Sequence, residues 1–286
     1  LVRSPPPTPR DSGIAATVQN DRNFVRLYHS SEWTNLKSRQ PFFAQINLPV
    51  VERTVRGTVY GWTGSSATPA FGTQAHPAQI DPASVIVPPY YPEHPITRND
   101  WAGYLDAVCD VDVRVGEILA RLSADGLADD TIVIFFADNG RLEARGHHWC
   151  YDSGERVPFI MRWPANFPAP PDYRAGAVSD RLISLLDLTA TTLSFAGVTK
   201  PAGMQSEIFS GAAAGLARTY AFSSRDRCNE VVTRIRSVRN ARYRYNRNFT
   251  PEVSFSALSR YKEASYPVMP LLRQLHAEGK LTPPQA

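Results

Sequence analysis

An α/β sandwich with a largely parallel main sheet is the fold class that this sequence predicts, and two observations predict it. Short apolar runs typical of buried strands occupy residues 41–48, 131–137 and 157–163. Apolar residues at three- and four-residue spacing, which indicate amphipathic helices, occupy residues 100–124 and 178–196. Strands that alternate with helices in this way are typical of layered α/β domains.

The pattern changes after about residue 205. Strands are predicted at 219–223 and 231–246, followed by short helices between residues 254 and 279. This order indicates the beginning of a smaller C-terminal α+β subdomain. The expected domains are therefore residues 1–205 and 206–286.

Composition excludes several classes of protein. The 286 residues are 43% hydrophobic and carry a formal net charge of +4, which are ordinary values for a folded domain. No apolar run reaches the roughly 18 to 20 residues that cross a membrane, so no membrane contact is expected. The three cysteines, Cys109, Cys150 and Cys228, lie far apart, so neither a disulfide framework nor a zinc cluster is indicated.

The N-terminal part of the chain carries little regular pattern. Residues 1–13 are rich in proline and lack both an initiator Met and the apolar centre of a signal peptide. We expect them to be a cut end or a linker. After the first predicted strand, residues 49–96 form a loop rich in Gly, Pro, Ser and Thr, and a loop of this length is usually functional or mobile.

The first long helix has recognisable ends. Thr97 followed by Asp100 forms a potential capping box, and Gly126 is placed to end the helix. Apolar residues from Trp101 to Leu122 fall on one side. The sequence therefore predicts that this helix buries one face.

A polar tripeptide, Asp138-Asn139-Gly140, follows the second apolar run directly. Ligands of open α/β sheets bind beyond the carboxyl ends of the strands. A carboxylate beside an amide oxygen suits a hard cation such as Ca²⁺ or Mg²⁺. The same tripeptide is also an ordinary turn sequence, so a metal site and a simple turn are both open interpretations at this point.

The next segment gathers potentially reactive side chains. Cys150 lies close in sequence to His147 and His148, which would suit a catalytic thiol. A nucleophile and its base seldom come from such close neighbours, and the aromatic context of Cys150 favours a structural role. A lipase-type Gly-x-Ser-x-Gly elbow is absent from the sequence; Gly61-Trp-Thr-Gly-Ser-Ser only resembles one.

A basic cluster from Arg234 to Arg247 contains interleaved tyrosines and could be interpreted as a nucleic-acid surface. The alternation of Ile235, Val238, Tyr243 and Tyr245 favours instead two amphipathic strands with solvated arginines on one face. No nucleic-acid partner is therefore expected.

Taken together, these motifs resemble the formylglycine-dependent sulfatases. Asp-Asn-Gly, then Arg145-Gly146, then Tyr-Asp-x-Gly and Arg-Val-Pro-Phe-Ile-Met-Arg-Trp-Pro, is similar to the metal-proximal segment of that family. Residues 178–205 resemble the helix and loop that follow it, and the likeness extends more loosely from Phe42 to the end. The branch that it resembles most contains the heparan N-sulfatases. The implied fold is the alkaline-phosphatase-like sandwich.

The resemblance implies hydrolysis of sulfate esters or sulfamates. In this family a cysteine or serine oxidised to formylglycine attacks sulfur, while a calcium ion and basic side chains neutralise the sulfate oxygens. Asp138 and Asn139 match the family's second pair of metal ligands, so calcium rather than magnesium is the expected metal. A sulfated small molecule or glycan is the expected substrate. The resemblance also suggests a location outside the cytoplasm.

Three features depart from the family pattern. The Cys/Ser-x-Pro/Ala-x-Arg motif and an early aspartate pair are absent from these 286 residues, so the nucleophile is expected on a preceding segment. His147 stands at the sulfate-binding position, where the family has Lys or Arg. Glu52-Arg53 stands where a histidine followed by Arg is usual; a carboxylate ~4 Å from sulfate would repel it by about 1 kcal/mol even in water.

Other interpretations of function remain. His76 could approach the site in place of Glu52, although His76 and His94 are both interpreted as loop residues. The protein could be a non-catalytic descendant that binds sulfated glycans. It could also be a related metal-dependent phosphoester hydrolase, which would use a Thr or Ser nucleophile and further His and Asp ligands. The isolated chain is expected to be inactive, and the sequence does not indicate an oligomeric state.

Overall fold

The computed structural model describes residues 36–37, 40–46, 48, 54–55, 58–59, 79–141, 144–146, 148–254, 256–257, 259, 262 and 266–285. The chain divides into two units, residues 1–128 with 274–286 and residues 129–273. The domain boundary at residue 205 stays a prediction. Four of the residues singled out above, Glu52, Arg53, His76 and His147, lie outside the described residues.

A long helix, α1 (Pro95–Ala124), dominates the first unit. It begins before the predicted capping box, because His94 is the N-cap residue and its Nδ1 accepts the N–H of Ile96 at 3.1 Å. An imidazole nitrogen satisfies one of the first backbone N–H groups in the way that a Ser or Asp oxygen does. The start predicted from Thr97 and Asp100 was therefore wrong.

Aromatic packing and side-chain bonds to the backbone hold α1 in its unit. Trp101 is 8% exposed, and its ring centroid lies 5.5 Å from that of Tyr91. The Nη1 of Arg98 donates to three carbonyls between residues 82 and 85 at 3.0 to 3.2 Å. The predicted end of the helix is confirmed, since Gly126 follows it with a φ of +71°.

The segment before α1 differs from the prediction at two places. The two-residue strands β1 (Thr54–Val55) and β2 (Thr58–Val59) pair antiparallel within the predicted loop. The described residues of the strand predicted at 41–48 are irregular, and Phe43 is 41% exposed. An apolar run becomes a buried strand only where neighbours cover it.

In the second unit, β3 (Val133–Phe136) and β4 (Phe159–Arg162) confirm two of the predicted strands. They pair antiparallel, so the expected parallel arrangement was wrong for this pair. Parallel strands need a crossover connection, whereas the described part of this connection holds the four-residue helix α2 (Asp152–Glu155). The described strands all lie in antiparallel sheets, and the larger sandwich stays a prediction.

Helix α3 (Leu186–Phe195) begins later than the predicted start at Val178. Residues around Ser184 form a turn instead: the N–H of Ser184 donates to the Asp187 carboxylate at 2.9 Å. The Ser184 Oγ accepts the N–H of Leu186 at 3.3 Å. These side-chain bonds compete with helical hydrogen bonds and fix the helix start.

Strands β5 (Ala221–Cys228), β6 (Val231–Arg239) and β7 (Arg244–Asn248) form a three-stranded antiparallel meander, here called the C-terminal sheet. Helix α4 (Val268–Ala277) follows it. The strands predicted in this region and a helix after them are confirmed. In the described part of the chain, no helix is long and apolar enough to cross a membrane.

The two faces of the C-terminal sheet differ from the predicted distribution. Ile235 is buried, but Tyr243 and Tyr245 are 63% and 65% exposed, and Tyr245 belongs to the opposite, outer face of the sheet. The side chains of Arg239 and Arg244 share the inner face with Ile235 and are 27% and 17% exposed. The prediction of solvated arginines on one face is confirmed for Arg234 and Arg236, whose side chains are 64% and 44% exposed. It was wrong for Arg239 and Arg244, which pair with acidic residues of α2.

Candidate active site

Asp138 and Asn139 lie just beyond the end of β3, with Asp138 exposed and Asn139 half-buried. The Nδ2 of Asn139 donates to the carbonyl of Gly140 at 2.8 Å, so Oδ1 is the amide atom that can coordinate a cation. Two oxygen donors fit part of the six to eight that Ca²⁺ takes. Within the described residues, no group of three or more His, Cys, Asp and Glu side chains is arranged around a metal position.

A close backbone contact fixes the residue that follows this pair. The N–H of Gly140 donates to the carbonyl of Gly154 at 2.8 Å. A Cβ at Gly140 would clash with the carbonyl of Ser153, and a Cβ at Gly154 would clash with carbonyls of the preceding loop. Only glycine fits at these two positions. The contact with α2 therefore fixes the position of the chain just after β3.

The loop before α2 contains a strained residue. Arg145 has a φ of +64°, which costs a non-glycine residue about 1 to 3 kcal/mol. The Ser153 hydroxyl donates to the Arg145 carbonyl, and the guanidinium stacks over the Tyr151 ring at 4.8 Å. Backbone strain of this kind clusters at functional sites, so it marks this loop as a candidate part of the site.

The inner face of the C-terminal sheet holds the segment 148–150 by its carbonyl groups. The Nη1 of Arg225 donates to the carbonyl of His148 at 2.7 Å. Asn246 Nδ2 and Arg244 Nη1 both donate to the carbonyl of Cys150, at 3.0 and 3.1 Å. These bonds satisfy backbone acceptors in a stretch with little regular structure.

Acidic residues of α2 complete this attachment. Arg244 pairs with Glu155 and, at 2.8 Å, with Asp152, and Arg239 pairs with Asp152 at 2.9 Å. Charge-assisted bonds of this kind are about twice as strong as neutral ones. Sequence reasoning missed these arginines. The even spacing of Arg239 from Ile235 along β6 was the signal that would have placed Arg239 on the inner face.

Cys150 is a buried structural residue. It is 4% exposed, and burial, reinforced by the nearby Glu155 carboxylate, raises the pKa of its thiol. A buried thiol with a raised pKa is inert, because the thiolate is the nucleophile. The geometry therefore favours the structural interpretation of Cys150 over the catalytic one.

Two buried cations stack on Trp149. The Arg225 guanidinium carbon lies 3.9 Å from the ring centroid and the Lys262 Nζ lies 4.9 Å from it. Both side chains belong to residues that are 7% exposed. Burial, together with the neighbouring Arg225 charge, lowers the pKa of Lys262. Contact with an aromatic face partly compensates such cations for lost hydration.

The sulfatase family model matches residues 50–198, a span that covers more than half of the chain and includes Asp138, Asn139 and the loop before α2. The chain therefore belongs to the sulfatase family.

Curated relatives carry the same family name. An ulvan-active sulfatase of Formosa agariphila is 31% identical in an alignment of 277 residues that covers 89% of this chain and 45% of that protein. The human N-sulphoglucosamine sulphohydrolase is 34% identical over 141 residues, which are 49% of this chain and 26% of that protein. The chain thus spans less than half the length of these relatives.

Overlap with solved structures is partial. A protein solved in complex with its substrate, D-glucosamine-2-N,6-O-disulfate, overlaps 67% of this chain and 43% of its own length. The identity is 21% and the TM-score is 0.44. An overlap of this size carries no argument about function.

Proposed function

We propose that the protein containing this chain hydrolyses sulfate esters or sulfamates of a sulfated glycan outside the cytoplasm. The observation that carries the proposal is the Asp138–Asn139 pair at the end of β3, inside the segment that matches the sulfatase family. The names of two relatives describe action on ulvan and on N-sulphoglucosamine, which supports a sulfated saccharide as the substrate class.

Calcium is the metal that we propose for this site. Asp138 and Asn139 would supply a carboxylate and an amide oxygen, the hard donors that Ca²⁺ prefers. The contact between Gly140 and Gly154 holds the residue that follows Asn139 against α2. A bound cation would supply positive charge opposite the sulfate oxygens. The nucleophile and the remaining metal ligands are proposed to come from a segment that precedes these 286 residues.

His147 and Arg53 are proposed as the basic groups that face the sulfate, with Glu52 beside them. A protonated imidazole donates hydrogen bonds and carries a charge, whereas a neutral one does not neutralise sulfate.

The test is sulfate release by the natural protein, purified from its source. Ulvan and N-sulphoglucosamine serve as substrates, ion chromatography measures sulfate, and a phosphate monoester is assayed in parallel. We expect sulfate release that stops after EGTA treatment and returns with added calcium. Binding of ulvan without release would support a non-catalytic descendant instead. Faster release of phosphate than of sulfate would favour a phosphoester hydrolase.

A further inference from the structure

The outer face of the C-terminal sheet carries apolar and basic side chains in ordered rows. Six of these residues, here called the outer patch, are Phe222, Arg234, Arg236, Val238, Tyr245 and Arg247. The strand register aligns Phe222, Val238 and Tyr245 in one row across the sheet. Arg236 and Arg247 are aligned in the next row. Alternate residues of a strand share one face, so the apolar row and the basic row lie side by side.

The aromatic members of the outer patch are exposed. Phe222 is 76% exposed and Tyr245 is 65% exposed, and the half-buried Val238 lies between them in the row. Apolar side chains scattered singly on a surface are ordinary, whereas contiguous ones with polar neighbours mark interaction sites. Aromatic rings also supply a large contact area with few rotatable bonds. The row is therefore a surface suited to contact with a partner.

The charge of the outer patch is positive. Asp226 is the carboxylate that pairs there, with Arg236 at 2.8 Å and with Arg234 at 3.6 Å. The guanidinium of Arg247 instead lies over the ring of Phe249, with its carbon 4.5 Å from the ring centroid. Three guanidinium groups thus face one carboxylate. Because a guanidinium presents several N–H donors in a planar fork, it suits oxyanions.

We propose that the outer patch binds a chain of sulfated polysaccharide, the polymeric form of the proposed substrate. The inference rests on the proposed function for its choice of a glycan. Along β7, Tyr245, Arg247 and Phe249 follow one another on this face at intervals of about 7 Å. Rings at this spacing can cover the apolar faces of sugar units, while the arginine between them pairs with a sulfate group.

The charge of the patch argues against a second copy of this chain as its occupant. A two-fold interface places the same patch of both subunits together, so the arginines of one copy would face those of the other. Juxtaposed like charges weaken an interface. A single-stranded nucleic acid would also match aromatic and basic side chains. Membership of the sulfatase family favours a sulfated polymer instead.

The test is biolayer interferometry of the natural protein on immobilised ulvan, with chemically desulfated ulvan as the comparison. We expect a Kd of about 10 µM for ulvan, which rises with salt, and binding at least about 10-fold weaker to the desulfated polymer. Arg234→Gln/Arg247→Gln removes the two most exposed charges of the patch. This double change should raise the Kd for ulvan at least about 10-fold.

A second variant tests the aromatic row. Tyr245→Ser removes an exposed ring and keeps every charge, so it should raise the Kd for ulvan about 5-fold. Polyvinyl sulfate carries sulfate groups but no sugar rings. Its affinity should stay the same in Tyr245→Ser and fall in the double arginine variant. Equal losses for both polymers in Tyr245→Ser would contradict the role of the ring.

Arg174→Gln/Lys280→Gln is the matched control, because it removes two exposed charges outside the C-terminal sheet; its Kd for ulvan should equal that of the parent. Equal affinity of the Arg234→Gln/Arg247→Gln variant would overturn the proposal. So would tighter binding of an oligothymidylate than of ulvan, or a dimer that Tyr245→Ser abolishes.

The outcome is separable from that of the proposed function because the readout is binding. A protein that binds ulvan through the outer patch but releases no sulfate keeps the patch and loses the proposed hydrolysis. A protein that releases sulfate, and whose affinity for ulvan the patch variants leave unchanged, keeps the hydrolysis and loses the patch.

Discussion

The second unit contains two clusters of buried charged side chains, and different contacts replace the lost hydration in each. The aspartate cluster centres on Asp187, which is 1% exposed and accepts hydrogen bonds from Ser184, Glu207 and Arg218. The cation cluster consists of Arg225 and Lys262 on the ring of Trp149. Among the described residues, no carboxylate pairs with either of these cations.

The pKa values reflect this difference. Burial alone would raise the pKa of Asp187, but hydrogen bonds from Arg218 and from the N–H groups of Glu207 and Ser184 outweigh it and lower the pKa. Burial instead lowers the pKa of Lys262, and the Arg225 charge adds to the effect. The ionised form is favoured in the aspartate cluster and disfavoured in the cation cluster.

The comparison separates two uses of buried charge. A fully bonded buried carboxylate stabilises the turn that begins α3, so its loss should be severe. Cations held on an aromatic ring, without carboxylate partners in the described structure, contribute less to stability. They hold the segment 148–150, which leads into α2, through the His148 carbonyl and the Trp149 ring.

The largest expected effect is that of Asp187→Ala. The change leaves Arg218 and two backbone N–H groups without their acceptor, so the free energy of unfolding should fall by about 3 to 5 kcal/mol. Urea unfolding followed by circular dichroism measures this loss. Asp180→Ala is the control, because Asp180 is exposed and its change should stay within about 0.5 kcal/mol. A loss below about 1 kcal/mol for Asp187→Ala would remove the contrast between the clusters.

Arg244→Met should have the next largest effect. It removes bonds to the Cys150 carbonyl, Asp152 and Glu155 while keeping most of the side-chain volume. The expected loss of unfolding free energy is about 2 to 3 kcal/mol. Arg247→Met, on the exposed face of the same strand, should change it by about 0.5 kcal/mol or less. Equal losses in the two variants would mean that the bonds of Arg244 on the inner face do not contribute to the free energy of unfolding.

A pair of isosteric changes compares a bonded with an unbonded buried hydroxyl. Thr191 Oγ1 donates to the Asp187 carbonyl at 2.8 Å and accepts the N–H of Phe209 at 3.1 Å. Thr191→Val should therefore cost about 1 to 2 kcal/mol. Thr233→Val removes a hydroxyl without a partner in the described structure, and it should leave stability unchanged or raise it. Thermal melts should give a lower melting temperature for Thr191→Val than for Thr233→Val. The reverse order would contradict this prediction.

The smallest effects concern pH. The contribution of Asp187 is fully present above its unfolded pKa, near 3.8, and is lost as pH falls through its lower folded value. Between the lowered pKa of Lys262 and 10.5, the unfolded chain binds more protons, so stability rises with pH. Lys262→Met should abolish that rise and change neutral-pH stability by about 1 kcal/mol or less. Unfolding midpoints measured across pH would test this, and an unaltered alkaline slope would refute it.

Local patterns predicted the elements of this chain better than their pairing. Hydrophobic spacing predicted α1, and short apolar runs predicted β3 and β4. The antiparallel pairing of β3 and β4 depends on the path of a long connection, which spacing does not encode. The early start of α1 depends on an imidazole cap that a Ser- or Asp-based rule does not include.

The sequence likewise indicated some residues of the candidate site and not others. Asp138 and Asn139 were recognisable because a strand end and a family motif coincide, and their role as metal ligands stays a prediction. The attachment through Arg244 could not be predicted, because it joins residues nearly a hundred positions apart. His147, Glu52 and Arg53 lie outside the described residues, so their roles stay predictions as well.

The most direct test of the central claim is sulfate release by the natural protein carrying Asp138→Asn, compared with Asp180→Asn. The first change removes a proposed metal-ligand charge at nearly constant volume, whereas the second neutralises an exposed carboxylate outside the site. We predict a loss of at least about 100-fold for Asp138→Asn and none for Asp180→Asn. Unchanged sulfate release by Asp138→Asn would contradict the assignment of this strand end as the site of hydrolysis.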